Sequence, residues 1–134
     1  MEEYVDQMLF LMEKLEQSLA GKMTKQCFSG EMMVLIQLAK GNISNPSELT
    51  KQTGMSSPHI AKTICSLKMK DEVKRMVDEN DRRKAVITIT EKGKQRIEEL
   101  YQSLKSEITN VFERIGEEDA KTFTTIFARI MGVD

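Results

Sequence analysis

Tryptophan is absent from the 134 residues, and histidine occurs once, at His59. One histidine excludes the His-rich ligand sets of catalytic zinc centres. Two cysteines, Cys27 and Cys65, are too few for a disulfide scaffold, and each is expected to serve as a small buried hydrophobe. Two prolines and seven glycines disfavour a Pro/Gly-rich disordered chain. No apolar run approaches the roughly 18 residues of a membrane span, and Met1-Glu2-Glu3-Tyr4 lacks the basic start of a secretory signal, so a cytoplasmic location is expected. Glycine-rich phosphate loops and the His-Glu-x-x-His and Gly-x-Ser-x-Gly patterns are missing as well. The carboxylates at Glu98-Glu99, Glu107 and Glu117-Glu118-Asp119 lack the partner groups that acid–base catalysis needs. Neither an enzyme nor a bound cofactor or metal is expected.

What the chain does hold is charge, unevenly spread. Twenty Lys and Arg oppose twenty-one Asp and Glu, for a net charge of −1. Divided after residues 43 and 96, the three segments carry −2, +5 and −4, a basic island between acidic arms. The length fits a single domain over 1–134. The ten methionines, mostly at helical spacings, are expected to fill core.

Val5, Met8, Met12, Leu15 and Leu19 recur every three or four residues, which predicts an amphipathic helix ending near Gly21. Ser29 is placed to cap a second helix with a stripe of Met32, Leu35, Ile36 and Ala39, stopped by Gly41-Asn42. Asn45-Pro46-Ser47 caps a short helix over Glu48 to Thr53, closed by Gly54. Met55-Ser56-Ser57-Pro58 starts another that runs to about Lys70. The β-branched runs Val73 to Val77 and Ala85 to Thr90, joined by a charged tip, read as a hairpin with Ile87 and Ile89 on one face. Thr90-Glu91 opens a long helix broken at Gly116, and a last helix follows from about Glu117. Apolar stripes at Val5, Met8, Met12 and Leu15, and at Phe123, Phe127 and Ile130, exceed what one short chain buries. A homodimer is therefore expected through residues 1–28 and 94–134.

A short helix, a tight turn, a second helix and a hairpin, all within the basic third, make a winged helix-turn-helix over residues 29–93. On the helix over 57–70, Ile60, Ile64 and Leu67 point to the core with Ala61 and Cys65 on their flank. His59, Lys62, Thr63, Ser66 and Lys70 are expected opposite, a face of donors with no acid. With Ser56, Ser57 and Pro58 at the helix start, that face suits phosphate oxygens and the acceptor-rich edge of guanine in the major groove of double-stranded DNA. Arg82, Arg83 and Lys84 at the hairpin tip suit a narrow minor groove, with Asp81 orienting an arginine.

These residues resemble the MarR family of transcription regulators from Ser29 to Gly93. Asp81-Arg82-Arg83, then Ile87-Thr88-Ile89-Thr90-Glu91-Lys92-Gly93, matches the wing signature of Asp-x-Arg, a strand and an aliphatic-Thr-x-x-Gly turn. Phe28-Ser29, Glu48-Leu49 and Met55-Ser56 match shorter patterns before it. The resemblance implies a mainly α fold with a small β-hairpin wing (73–90), dimeric through its terminal helices. It also implies a DNA-binding regulator of the repressor kind, with Arg83 entering the minor groove under the hold of Asp81. A small-molecule effector is left open. The sequence departs from the family at Lys68-Met69-Lys70-Asp71-Glu72-Val73, where glycine and a large apolar residue are usual at the positions of Asp71 and Glu72. Loss of the glycine leaves Asp71 to take up a left-handed conformation, and loss of the apolar residue is expected to anchor the base of the wing less firmly. The same two acids and the near-zero net charge suggest an alternative, a degenerate winged helix that binds protein, such as an antirepressor.

Overall fold

The computed structural model describes residues 1–41 and 43–133, and Ile43 through its backbone alone. Asn42, half of the expected helix stop, lies outside the described residues. Helices α1 (Glu2–Gln17), α2 (Leu19–Cys27) and α3 (Gly30–Gly41) precede β1 (Ile43–Ser44), α4 (Pro46–Thr53) and α5 (Ser57–Met69). β2 (Val73–Val77), β3 (Ala85–Ile89), α6 (Glu91–Ile115) and α7 (Glu117–Ile130) complete the chain. Two compact units result, Met1–Leu100 and Tyr101–Asp134.

In the first unit the core joins Val34, Leu35 and Leu38 of α3 to Leu49 of α4, Met55 of the turn, and Ile60, Ile64 and Leu67 of α5. Val73 and Ile87 bring in the sheet, and Ile89 and Ile97 pack against the cluster. Each large side chain buried here stabilises the unit by about 1.5–3 kcal/mol. The sheet order is β1-β3-β2, antiparallel throughout, with Val73 opposite Ile89 and Val77 opposite Ala85. In the second unit the Phe112 and Phe123 rings meet edge to face at 6.3 Å, and Phe123 stacks on Phe127 at 5.9 Å.

Several local expectations are corrected. The opening helix breaks at Ser18, whose extended backbone starts α2 and whose Oγ accepts from the Gly21 N–H at 3.1 Å. Gly21 is thus no terminus; it lies inside α2 where a Cβ would fall 1.9 Å from the Leu15 carbonyl oxygen. On α3 the buried face is Met32, Val34, Leu35 and Leu38, and Ala39 is exposed, because this helix is covered on more than one stripe. The two-residue β1 was not foreseen; a pair that short has no periodicity to read. Methionine is a minor part of the core: Met32 and Met55 are buried, whereas Met8, Met12, Met69 and Met76 are exposed.

The junction between α5 and β2 shows how Asp71 substitutes for glycine. Glu72 N–H donates to the Leu67 carbonyl and Asp71 N–H to that of Lys68, both at 3.0 Å, the paired bonds of a Schellman helix end. That geometry needs a left-handed residue, and Asp71 supplies it with φ of 58°. An aspartate pays a steric penalty there that glycine avoids, partly offset by glycine's greater freedom when unfolded. Asp71→Gly is expected to stabilise the protein by about 0.5–1 kcal/mol. Denaturant titration checks this, and a variant less stable than wild type would show that the Asp71 conformation carries no net strain.

Candidate nucleic-acid interface

α4 and α5 are set by their caps. Asn45 Oδ1 accepts from Glu48 N–H at 2.8 Å, Gly54 closes α4 with φ of 74°, and Ser56 Oγ accepts from His59 N–H at 3.3 Å to start α5. Ile60, Ile64 and Leu67 bury as expected. Thr63 joins them at 6 % exposure instead of facing outward. Four residues before Leu67, it lies only about 40° from it around the helix, within the covered arc. Ala61 and Cys65, expected on the apolar flank, are exposed because they lie past the other edge of that arc. Cys65 is therefore no core filler, whereas Cys27 is half-buried and its thiol pKa is raised by that burial.

The exposed residues of α5 are Ser57, Pro58, His59, Ala61, Lys62 and Cys65, with Lys68 and Met69 in its last turn. Lys62 and the His59 ring have no hydrogen-bonded side-chain partner among the described residues. Ser66 and Lys70 differ: Ser66 Oγ donates to Glu31 Oε1 at 2.6 Å, and Lys70 Nζ donates to both Glu31 oxygens at 3.0 and 2.8 Å.

At the hairpin tip Arg82, Arg83 and Lys84 are exposed. Asp81 Oδ1 accepts from the Arg83 backbone N–H at 3.1 Å and lies 3.5 Å from Arg83 Nε, while the Arg83 side chain is 94 % exposed. The guanidinium is thus tethered at its base and free at its tip. Lys84 shares a shallow hollow with Lys51 and the start of α4, Asn45 to Glu48. The sequence reading missed Lys51; its one signal was a cation on the short helix of the basic island.

Beneath α5 lies an ion network. Arg96 Nη1, near the start of α6, donates to Glu31 Oε2 at 2.8 Å and to Glu72 Oε1 at 2.9 Å. Glu72 is 4 % exposed, so it does not leave the base of the wing loose: its carboxylate is held by Arg96 where an apolar side chain was expected. Burial alone would raise the Glu31 pKa, but hydrogen bonds from Lys70, Ser66 and Arg96 and the Arg96 charge bring it down to about 2. Among the described residues no group of three His, Cys, Asp or Glu could hold a metal ion, and no helix is long and apolar enough to cross a membrane.

No family model matches the chain. Over 83 residues it is 28 % identical to the uncharacterized HTH-type transcriptional regulator YwhA of Bacillus subtilis, covering 62 % of this chain and 60 % of that protein. The chain thus spans less than two thirds of that curated relative. Among solved structures, YusO of Bacillus subtilis superposes with a TM-score of 0.83 at 19 % identity, over 99 % of this chain and 95 % of that one. A MarR family protein from Bacillus stearothermophilus gives a TM-score of 0.74 at 18 % identity, over 98 % and 96 %. The chain has the MarR fold. MepR of S. aureus, solved bound to an oligodeoxyribonucleotide, gives 0.71 at 16 % identity, over 98 % and 96 %. Within the MarR fold β2 and β3 form the small antiparallel hairpin of the wing.

Because the Glu31 pKa is lower in the folded chain than the ordinary 4.5, its contribution to stability is present above about pH 4.5 and is lost as pH falls toward about 2. Glu31→Gln should lose stability at pH 7 and show a flatter decline across that acid window. Unfolding midpoints measured from pH 7 to pH 2 check this; parallel declines in the two proteins would mean Glu31 is not the group being titrated.

Proposed function

We propose that the chain is a MarR-type DNA-binding transcription regulator, of the repressor kind, which reads a pseudo-palindromic duplex as a two-fold homodimer. The observation that carries this reading is the pairing of an acid-free outward helix face, with His59 and Lys62 unpartnered, with a wing tip whose Arg83 is tethered by Asp81 and otherwise free. Such a face suits phosphates and guanine edges in the major groove, and an extended arginine suits a narrow minor groove. Ser56, Ser57 and Pro58 at the start of α5 would approach the backbone, and Arg82 and Lys84 would flank Arg83. The DNA-bound state of MepR, a protein of the same fold, supports the assignment.

Dimerisation is supported by the exposure of Val5, Met8, Met12 and Leu15 on α1 and of Phe123, Phe127 and Ile130 on α7. No residue of α1 is buried, and a helix this apolar is stable in water only when covered. The protein-binding alternative rested on Asp71, Glu72 and the near-zero net charge, and the two acids have local structural duties: one ends α5 and the other pairs with Arg96.

Duplexes selected from a random library provide the test, titrated with wild type, Lys62→Ala and Arg83→Ala at two salt concentrations. Two chains should bind each duplex, at half-sites about 10 base pairs apart. Lys62→Ala should weaken all sequences alike and reduce the salt slope by about one unit. Arg83→Ala should cost on the order of 1–3 kcal/mol and lose preference for A·T-rich flanks. An Arg83→Ala variant that binds every duplex as wild type does would remove the wing from the interface and favour a protein partner.

A further inference from the structure

We infer that Glu31 is a positioning residue that withholds Ser66 and Lys70 from DNA, so that α5 reads its target with its other exposed residues, His59 and Lys62 among them. The inference rests on the DNA-binding reading above. By sequence Ser66 and Lys70 belong to the same donor face as His59 and Lys62. In the fold they are engaged by a carboxylate from α3. A serine hydroxyl has one proton to donate, and that of Ser66 goes to Glu31 Oε1 at 2.6 Å, so none remains for a guanine edge or a phosphate. Lys70 Nζ spans both carboxylate oxygens. The carboxylate is held by a second cation as well, since Arg96 Nη1 donates to Oε2 at 2.8 Å.

Charge counting points the same way. Glu31 and Glu72 face Lys70 and Arg96, two carboxylates against two cations, so this corner presents no surplus positive charge to a phosphate. Lys62, about two helical turns before Lys70, has no counter-charge among the described residues. Binding DNA through Lys70 would require breaking an ion pair that is already made, whereas binding through Lys62 requires breaking none. Phosphate neutralisation, and the salt dependence it creates, should therefore come from cations without such a pair, Lys62 and those of the wing tip among them, and not from Lys70.

The salt dependence of duplex binding tests this with Lys70→Ala, Ser66→Ala and Glu31→Gln beside wild type, each checked for folding by circular dichroism. Lys70→Ala and Ser66→Ala should bind within about twofold of wild type with an unchanged salt slope, since neither removes a DNA contact. Glu31→Gln should free Lys70, steepen the slope by about one unit and tighten binding about fivefold near 0.15 M salt, the effect of one added phosphate contact. If Glu31→Gln does not fold, the other two variants still decide the matter. A Lys70→Ala slope shallower by about one unit would overturn the inference while leaving the DNA reading intact. Absence of duplex binding by wild type at any salt would overturn both.

Discussion

Arg96 uses one guanidinium nitrogen to bond two carboxylates from separate parts of the chain, Glu31 of α3 and Glu72 at the entry to β2. Glu72 is almost wholly out of water, and a carboxylate there without a partner would forfeit its hydration for nothing. Its position is delivered by the left-handed turn at Asp71 and fixed from the backbone. Thr90 N–H donates to the Glu72 carbonyl at 3.0 Å, and Thr90 Oγ1 donates to the Asp71 carbonyl at 2.6 Å. Gly93 allows that closeness, since a Cβ there would fall 2.4 Å from the Glu72 carbonyl oxygen. Through these bonds the end of α5, the start of the wing and the first turn of α6 become one joint, and Glu31 ties α3 to it.

That joint determines which charges are available on the surface. The basic island has cations on α4, α5 and the wing, but Lys70 and Arg96 at the joint are neutralised within the fold. Lys62 on α5 and Arg82 and Lys84 at the hairpin tip have no such partner among the described residues, and they stand on elements linked by the joint and by the pairing of β2 with β3. Rigid spacing of this kind lowers the ordering cost of engaging adjacent grooves together. The apolar faces of α1 and α7 are a separate matter: they bear on how many chains present such a surface, not on the surface itself.

Much of this was legible in the sequence where a signal is local. Capping residues such as Asn45, Ser56 and Ser29, the glycines that close α4 and α6, and the two β-branched runs placed most element ends within a residue or two. The contacts that adjust the interface were not legible, because they join residues far apart in the chain. Glu31 meets Ser66, Lys70 and Arg96 across gaps of 35, 39 and 65 positions, and no motif marks it. Thr63 and Cys65 were misplaced for another reason: a helical wheel gives relative angles, while the breadth of the buried arc depends on what packs against it. Glu72 was read by its type alone, and its anchoring role appears only once Arg96 is in view.

The most direct test of the joint is a double-mutant cycle on Glu72 and Arg96, with unfolding free energies from denaturant titration. Arg96→Met alone should cost about 3–5 kcal/mol, because it leaves a buried carboxylate without its partner. Glu72→Leu combined with Arg96→Met should recover most of that loss, since an apolar pair of similar volume fills the same space without a charge to satisfy. If Arg96→Met instead costs less than about 1 kcal/mol, as an exposed ion pair would, and the double variant shows no recovery, then the wing is not held by this interaction.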